Sequence, residues 1–574
     1  MKQSTVQDLY TVAGEVLRDT PEVIPWQDYP RPQLVRESYL NLNGWWDFAV
    51  TDSDALPSDY PERIRVPFSP ESLLSGIHRV PPKGARLYYC RAFTLPEGFR
   101  RERVLLHFGA ADQIATVWVN GVELATHVGG YMPFSVDITA VLREENTVVV
   151  RVIDRLEDHV LPYGKQRRDR GGMWYTPVSG LWQTVWAESV PNEYIKCIKI
   201  DVTADTARIT VNGVSNGTVT VNTPDGAITC PLCDGVATVT PEHPRLWSPD
   251  APYLYTFTVT AGEDTVQSYF ALRTVEVRAV DGIPRICLNG EPIFLHALLD
   301  QGYWSDGLFL PAQPSGFDED VAVAGSLGFN TLRKHIKIEP EQFYYACDRA
   351  GMLVWQDMVN NGDYSFLRDT ALPTIGLKKL NDRRLHRDAA TRRAFEEGMV
   401  QTVERLYNHP CIVGWTIFNE GWGQFDSTRM FRCLRELDTS RVIDSASGWF
   451  AGGESDVVSP HVYFKPVRFT PADKPTFLSE FGGYVYKIKD HSFNVDKTFG
   501  YRFYADQPAF EDALEQLYND EIIPIVAKGL CGAVYTQLTD VEDETNGLVT
   551  YDRRVVKVDA ARMRKIAEKI QKFG

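Results

Sequence analysis

The spacing of apolar residues along the sequence changes near Thr274, and this change separates two kinds of fold. Before it, short apolar runs are broken by turn residues, as in VLLHFGAA, TVWVNGVEL and NTVVVRVID. After it, short apolar segments alternate with amphipathic stretches of helical period. Alternation of this second kind is typical of strands and helices that build a parallel sheet. We therefore expect a multidomain protein, all-β in its first part and α/β in the rest.

The all-β part divides into two predicted β-sandwiches. Residues 1–190 contain the hairpin signal Asn120-Gly121 between valines, and we predict a jelly-roll-like sandwich there. Residues 191–273 continue with strands of period two, such as ARITVNGV and YLYTFTVT, over a length that suits an immunoglobulin-like sandwich. The first 35 residues carry no pattern that assigns them to a sheet.

Residues 274–574 contain eight β segments, which predict a (β/α)8 TIM barrel. The strand candidates are 293–300, 330–336, 352–358, 412–420, 442–447, 457–463, 476–482 and 532–540. The helix candidates are 317–327, 340–350, 388–408, 425–438, 508–527 and 556–571. In this fold the chemistry lies at the C-terminal ends of the strands, so polar residues that end these apolar runs are candidates for function.

Charge and hydropathy exclude several classes of partner. The formal net charge of −16 leaves no basic excess to neutralise nucleic acid or an anionic membrane surface. No stretch approaches the roughly 20 apolar residues of a membrane span. The N-terminus lacks the apolar core of a signal peptide. We expect a soluble, cytoplasmic protein whose partner is a small molecule, and homo-oligomer formation stays open.

Two strand ends carry the carboxylates that point to a reaction. Glu420 ends strand 4 directly after Asn419, and Glu480 ends strand 7. Glycoside hydrolysis needs two carboxyl groups that face each other across a pocket, one protonated and one ionised. A single Glu at a strand end is usually structural, so the pairing carries the hypothesis. No metal or other cofactor is expected, because the strand ends show no ligand cluster of metal-site spacing.

Other strand-end residues are candidates for substrate binding or support. Apolar residues precede Glu420, and such a shell would raise its pKa and suit the acid/base role. Asn419 can hydrogen-bond a sugar hydroxyl. His335 and His461 can equally be hydrogen-bonded structural residues. We interpret the basic run KQRRDRGG at 165–172 as a solvated loop. The supporting candidates are Asn419, Asp300, Arg333, His335, Asp357, His461, Tyr463 and Gln537.

Motifs along residues 35–574 resemble glycoside hydrolase family 2. LNLNGWWDFAV and GGMWYTPVSGLWQTVWAE resemble the opening and close of the family's sugar-binding sandwich, and RLWSPDAPYLYTFTV resembles the end of its immunoglobulin-like domain. GFNTLRKHI, WTIFNE and FLSEFG resemble barrel strands 2, 4 and 7. The resemblance implies Glu420 as acid/base, Glu480 as nucleophile and Tyr463 as a hydrogen-bond donor to the nucleophile, with retention of configuration.

The resemblance leaves the sugar open. Glucuronidases of the family carry an Asn-x-Lys segment after strand 8, whereas this chain has Asn546-Gly547-Leu548. The large β-galactosidases of the family hold magnesium through a Glu-x-His segment, which is absent from WQDMVNNGDYS. The strand-8 loop instead offers carboxylates that suit neutral hydroxyl groups, namely Asp540, Glu542, Asp543 and Glu544.

We therefore predict a retaining exo-β-glycosidase, with β-galactosidase as the first choice. A β-glucuronidase or other β-hexuronidase is the alternative, followed by a β-mannosidase. The hexuronide alternative depends on cations in the loop after strand 7, namely Lys487, Lys489, Lys497 and Arg502. A non-catalytic carbohydrate-binding protein is the alternative from a different class.

Overall fold

The computed structural model describes residues 5–372, 377, 382–448 and 452–572. Its N-terminal region forms two antiparallel sheets, which confirms the predicted β-sandwich. The strands are β1 (Leu40–Asn41), β2 (Gly44–Thr51), β3 (Glu62–Val66), β4 (Arg86–Phe93), β5 (Arg103–Phe108), β6 (Ala111–Asp112), β7 (Ile114–Val119), β8 (Val122–Val128), β9 (Phe134–Asp137), β10 (Asn146–Ile153), β11 (Gly180–Leu181) and β12 (Val185–Val190). The sheet orders are β3-β2-β4-β10-β7-β8 and β1-β12-β5-β9, and β6 pairs with β11.

Alternating valines explain how these strands build a core. In β10, Val148, Val150 and Val152 are buried, whereas the residues between them are more exposed. Successive side chains of a strand point to opposite faces, so this pattern gives the strand one apolar face. The turn between β7 and β8 is the predicted one. Asn120 and Gly121 there have φ angles of 52° and 82°, which a tight hairpin turn requires.

The second sandwich has two smaller sheets and confirms the predicted immunoglobulin-like fold. Its strands are β13 (Cys197–Val202), β14 (Ala207–Asn212), β15 (Gly217–Thr223), β16 (Gly226–Leu232), β17 (Val236–Val239), β18 (Tyr255–Ala261) and β19 (Asp264–Phe270). The sheet orders are β13-β14-β17 and β16-β15-β18-β19. Buried ion pairs of Arg36 with Glu188 and Asp264 join the two sandwiches. The boundaries at residues 190 and 273 stay predictions.

Eight parallel strands form a nearly closed barrel, which confirms the predicted TIM fold. A small sheet precedes it, made of β20 (Val275–Val280), β21 (Ile283–Leu288) and β22 (Glu291–Pro292). The barrel strands are β23 (Leu295–Asp300), β24 (Thr331–Lys334), β25 (Leu353–Asp357), β26 (Ile412–Asn419), β27 (Val442–Ser447), β28 (His461–Val462), β29 (Thr476–Gly482) and β32 (Leu530–Thr536). A short pair, β30 (Tyr484–Tyr486) and β31 (Arg502–Tyr504), lies outside the barrel. Across the seam, the Gly448 amide donates to the Ser459 carbonyl at 2.8 Å.

Aspartate side chains cap the first turns of three of the described helices. The α-helices are α1 (Val12–Asp19), α2 (Ser315–Ser326), α3 (Glu341–Ala350), α4 (Ala389–Leu406), α5 (Ser427–Leu437), α6 (Gln507–Leu517), α7 (Ile523–Val526) and α8 (Ala560–Gln571). Asp388, Asp506 and Asp559 accept hydrogen bonds from the first-turn amides of α4, α6 and α8. Such caps satisfy amides that have no partner within the helix. Among the described helices there is no stretch with the length and hydropathy of a transmembrane segment.

The N-terminal segment, which the sequence left unassigned, packs against the barrel loops. The backbone amide and hydroxyl of Thr11 donate to Asp306 Oδ2 at 2.8 and 2.7 Å. Val6 pairs with Asn494 in an isolated bridge, and Leu17 is buried in the same apolar cluster as the barrel core. This segment therefore braces loops that follow barrel strands.

Candidate active site

The end of β29 holds Glu480 among hydrogen-bond donors. Arg333 Nη1 donates to Glu480 Oε1 at 3.1 Å, and the hydroxyl of Tyr463 donates to Glu480 Oε2. The Tyr463 hydroxyl also lies 3.0 Å from Thr536 Oγ1. The Tyr463 ring stacks on Tyr501, with ring centroids 3.9 Å apart. Each oxygen of the Glu480 carboxylate is therefore paired with a donor of the protein.

These donors favour the ionised form of Glu480. Burial raises its pKa, but the nearby His461 and Arg333, together with the Tyr463 hydrogen bond, outweigh burial and lower the pKa to about 2. Burial, with the Glu480 charge, raises the pKa of Tyr463 well above its ordinary value. The phenol therefore stays protonated and donates to a carboxylate that stays charged.

Arg333 on β24 is the centre of a fully buried network. Its guanidinium contacts both oxygens of Asp357 at 3.0 Å and donates to the Ser479 carbonyl at 2.8 Å. It also donates to Asn419 Oδ1 at 2.9 Å. Burial lowers the pKa of Arg333, but the charges of Asp357 and Glu480 outweigh burial and raise it above its ordinary value. The Arg333 guanidinium thus joins the ends of four barrel strands, β24, β25, β26 and β29.

Glu420 faces Glu480 across the same opening. His461 Nδ1 lies 2.8 Å from Glu420 Oε1 and 3.4 Å from Glu480 Oε2. One oxygen of each carboxylate and a ring nitrogen of His461 all lie within 4.8 Å of one another. The carboxyl groups of retaining glycosidases are about 5–5.5 Å apart, and those of inverting enzymes about 6.5–9.5 Å apart. The observed oxygen spacing is closer to the shorter of these two ranges.

Glu420, His461 and Glu480 are also close enough to share a metal ion. Both oxygens of Glu480, however, already accept hydrogen bonds from Arg333 and Tyr463. A guanidinium and a phenol on the same carboxylate suit proton and covalent chemistry, because they stabilise its charge without a metal.

The backbone turns sharply at Glu420. Its φ angle of 50° lies in the left-handed region, which residues other than glycine rarely adopt. Strained positions of this kind are frequent at active sites, where they aim a side chain. The predicted apolar shell is present only in part. Trp415 turns away and donates to Asp438 at 2.9 Å, whereas Trp422 stacks on Trp174 with ring centroids 5.2 Å apart.

His335 and Asn419 complete the surroundings of the pair. His335 Nδ1 lies 2.8 Å from Asp357 Oδ2. Burial, together with the positive charge of Lys165, lowers the pKa of His335 well below its ordinary value, which favours the neutral ring. Asn419 uses its Oδ1 to accept from Arg333, whereas its Nδ2 has no hydrogen-bond partner in the described part of the chain. The Asn419 amide group therefore has a donor that it can offer to a ligand.

Asp300 and Gln537, also candidates from the sequence, are engaged elsewhere. Asp300 contacts Lys334 Nζ at 2.5 Å and accepts from the Gly302 amide at 2.9 Å. Gln537 accepts from Gln301 at 2.7 Å and donates to an asparagine of the strand-8 loop at 2.9 Å. Among the described contacts, neither side chain bonds to Glu420 or Glu480.

The carboxylates of the loop after β32, the eighth barrel strand, form hydrogen bonds with other groups of the protein. They are Asp540, Glu542, Asp543 and Glu544. Their partners, in the same order, are Lys557, the Thr176 amide, Asn494 and Tyr175. Thr176 and Tyr175 belong to the N-terminal sandwich, so the loop joins two domains. This corrects the expectation that these carboxylates are available to sugar hydroxyls.

The cations that follow β29, the seventh barrel strand, lie away from Glu420 and Glu480. Lys487 donates to backbone carbonyls of its own loop, with distances of 2.6 to 3.0 Å. Arg502 donates to the Tyr484 hydroxyl at 3.1 Å. Lys489 and Lys497 are exposed to solvent. In the described structure, none of these four cations contacts Glu420 or Glu480.

The basic run at 165–172 is packed at the barrel mouth, which corrects its interpretation as a solvated loop. Lys165 is 7% exposed and Gln166 is 1% exposed. Arg167 lies 3.8 Å from the Trp174 ring centroid, and Arg170 contacts Glu542 at 3.4 Å. Basic residues of the N-terminal sandwich therefore line part of the barrel mouth.

Two β-sandwiches ahead of a barrel with facing glutamates define a multidomain glycoside hydrolase. Family models for glycosyl hydrolases family 2 match in three parts: the sugar binding domain at 31–186, the second domain at 192–273 and the TIM barrel domain at 313–468. Together these ranges cover more than half of the sequence. The chain belongs to glycoside hydrolase family 2.

Similar proteins act on different sugars. A β-galactosidase of Thermoanaerobacter pseudethanolicus is 26% identical over 441 residues, or 70% of this chain, and the match spans 54% of that relative. A β-glucuronidase of Paenibacillus borealis is 26% identical over 472 residues, or 72% of this chain and 73% of the relative.

The solved structures support the fold. A β-D-glucuronidase from Dictyoglomus thermophilum has a TM-score of 0.73 at 20% identity, over 95% of this chain and 99% of the other. A β-galacturonidase from Eisenbergiella tayi has a TM-score of 0.66 at 18% identity, over 96% and 100%. At these identities the similarity shows the architecture alone.

Proposed function

We propose that this protein is a retaining exo-β-glycosidase. The observation that carries the proposal is the pair of carboxylates, whose nearest described oxygens lie within 4.8 Å of each other at the ends of β26 and β29. Glu480 is the nucleophile, because Arg333 and Tyr463 stabilise its charge. Glu420 is the acid/base, because it has the more exposed carboxylate of the two, at 13% against 6%.

The reaction takes two displacements. In the first, Glu420 donates a proton to the departing oxygen while Glu480 attacks the anomeric carbon and forms a glycosyl ester. In the second, Glu420 removes a proton from water, which attacks the same carbon and releases Glu480. Each step inverts the carbon once, so the configuration is retained. The Asn419 amide is placed to hydrogen-bond a hydroxyl of the bound sugar.

A panel of chromogenic aryl β-glycosides tests the activity. It should include the galactoside, glucuronide, galacturonide, mannoside and glucoside with one common leaving group. We expect turnover of at least one substrate, and proton NMR should show the β-anomer as the first product. Glu480→Gln should abolish this turnover. Glu436→Gln, which changes an exposed glutamate on α5, is the matched control and should retain it.

The alternative from a different class is a carbohydrate-binding protein without catalysis. It requires that wild-type protein bind sugars but turn over none of the panel. The sugar itself has two leading candidates, the β-galactoside that the sequence favours and a β-hexuronide. The first loses support because the strand-8 carboxylates are occupied. The second gains support from a buried lysine at the barrel mouth.

A further inference from the structure

The side chain of Lys165 is buried at the barrel mouth, and its ammonium has no counter-ion among the described residues. The side chain comes from the N-terminal sandwich and is 7% exposed. Within the described residues its ammonium forms no hydrogen bond or ion pair, and it lies over two aromatic rings. Its Nζ lies 5.5 Å from the Tyr175 ring centroid and 5.9 Å from that of Trp422. Ring contacts of this kind attract a cation but do not satisfy its hydrogen-bond donors.

The backbone around Lys165 holds it in place. The Lys165 carbonyl accepts from the Tyr175 amide at 3.0 Å. The Gln166 side chain donates to Asp112 at 3.1 Å and accepts from the Val178 amide at 2.7 Å. Gly164 approaches the carbonyl of Ile336 so closely that a Cβ there would lie 2.9 Å from the oxygen. A glycine is needed for this approach, which brings Lys165 to the ends of the barrel strands.

Two further donors of the site also have no acceptor among the described residues. Trp422 Nε1 and Asn419 Nδ2 are buried and have no hydrogen-bond partner in the described part of the chain. The charge of Lys165 contributes to the low pKa of His335, as expected if the ammonium faces the ring. Because no acidic group of the described chain pairs with this ammonium, its charge is left to attract a negatively charged ligand into the open site.

The other buried cations that the structure describes at the barrel mouth already have acidic partners. Each of them contacts at least one carboxylate. The pairs are Arg333 with Asp357 and Glu480, Lys334 with Asp300, Lys337 with Glu339, and Lys557 with Asp540. Lys165 is therefore the cation available to a ligand among these five. A single ammonium matches a carboxylate, which carries one negative charge, better than a phosphate dianion.

We propose that Lys165 is the specificity-determining residue that binds the carboxylate of a hexuronic acid in the glycone site. This proposal rests on the proposed glycosidase function and names its substrate class. The N-terminal sandwich then supplies the charge that selects the sugar, and the barrel supplies the two catalytic carboxylates. The Asn419 and Trp422 donors bind oxygens of the same sugar.

The test compares sugars that differ only at C6. Aryl β-galacturonide is paired with aryl β-galactoside, and aryl β-glucuronide with aryl β-glucoside, with the same aglycone throughout. We expect wild-type protein to prefer one uronide over its neutral partner. Lys165→Met should lower kcat/KM for that uronide by roughly 10- to 100-fold, as for the loss of a hydrogen bond between charged groups. The neutral partner should change by less than about threefold, because it loses no ion pair. Lys489→Met is the control for removal of an exposed lysine and should change neither.

A binding experiment separates this proposal from the activity itself. In Glu480→Gln protein, calorimetry should show tighter binding of free galacturonate or glucuronate than of galactose or glucose, and Lys165→Met should remove the difference. Equal loss on charged and neutral sugars in Lys165→Met, with the fold intact, would overturn the role of Lys165 while the glycosidase stands. A wild-type preference for the galactoside would overturn it as well. Absence of turnover across the whole panel would instead contradict the proposed function, and the hexuronide proposal with it.

Discussion

The ends of β26 and β29 carry the same amino acid in two different settings. Glu480, on β29, has a guanidinium on one oxygen and a phenol on the other, and its side chain is 6% exposed. Glu420, directly after β26, is 13% exposed and contacts His461 at 2.8 Å. The two carboxyl groups are near neighbours, so the difference comes from their immediate contacts and not from their position in the fold.

This difference matches the chemistry that the proposed mechanism assigns to each group. A nucleophile needs a stable negative charge, which fixed donors provide before substrate arrives. An acid/base must gain and lose a proton in every cycle, so donors that lock it in one form would slow the reaction. We infer that Arg333 and Tyr463 mark the nucleophile more reliably than the glutamate itself does.

Removal of either carboxylate should give the largest loss of turnover, and the size of the loss should differ between Glu480 and Glu420. Glu480→Ala should lower turnover by roughly 10⁵-fold or more on every substrate, because no glycosyl ester can form. Glu420→Ala should lower turnover by about 10²–10⁴-fold on substrates with poor leaving groups, which need protonation. Steady-state kinetics across a series of phenol leaving groups measures both.

Azide provides the control for these two variants. A small anion in the cavity left by Glu420→Ala should restore turnover and yield a β-glycosyl azide, because it replaces water in the second step and needs no base. If both variants respond to leaving group and azide in the same way, the assigned roles are wrong.

Arg333 should have the next largest effect, on stability as well as rate. Arg333→Met leaves Asp357 and Glu480 buried without their cation, which should lower the free energy of unfolding by about 3–5 kcal/mol. Urea unfolding at pH 7 measures this change. Arg405→Met provides a comparison, because Arg405 is also largely buried but lies 3.6 Å from its acidic partner Glu341. A smaller loss for Arg333→Met than for Arg405→Met would show that the network contributes little to folding.

The sequence predicted the barrel and the carboxylate pair because both depend on local patterns. Each barrel strand is a short apolar run, and Glu420 and Glu480 directly end two of these runs. Parallel strands bring such ends together at one edge, so no further information was needed to place them near each other.

The role of Lys165 did not follow from the sequence, because its position depends on contacts between domains. A basic run between strands is usually solvated, and residues 165–172 look like such a run. The aromatic Trp174-Tyr175 and the glycine at position 164 were the available signals of a packed loop. The partners of the strand-8 carboxylates were hidden for the same reason, since Tyr175 and Thr176 lie about 370 positions away in sequence.

Tyr463→Phe should sharpen the comparison by removing one donor from the nucleophile. Loss of a hydrogen bond to a charged group costs about 1.5–3 kcal/mol, so kcat should fall by roughly 10- to 150-fold. The ring should keep its stack on Tyr501, and thermal unfolding should change little. Tyr501→Leu, which removes the stack but not the hydroxyl, is the control. An unchanged kcat in Tyr463→Phe would make its contact with Glu480 structural.

The pH profile of kcat/KM should report the protonation of Glu480. Glu480 has a pKa lowered to about 2, so it stays ionised between pH 7 and pH 4. The stability that its ionised form contributes is present above the unfolded pKa of about 4.3 and is lost as pH falls towards the folded value. Protonation of Glu480 should therefore cause no loss of kcat/KM above about pH 4 in the wild type. Tyr463→Phe should raise the pKa of Glu480 and move the acid limb upward. An acid limb at the same pH in both proteins would contradict this.

The smallest effect on catalysis should come from a third strand-end carboxylate, Asp300 on β23. It is as buried as Glu480, but in the described structure it bonds to Lys334 and to the Gly302 amide and not to Glu420 or Glu480. Asp300→Asn keeps the size of the side chain and should lower the free energy of unfolding by about 1–3 kcal/mol, because Lys334 loses a charged partner. Since Lys334 retains Glu339 at 2.8 Å, the fold should survive, and kcat/KM should change by less than about threefold. Thermal unfolding and kinetics on one aryl glycoside measure both quantities. A fall in kcat comparable to that of Tyr463→Phe, without loss of structure, would place Asp300 in the catalytic site and show that strand-end position, and not contact with the pair, determines function.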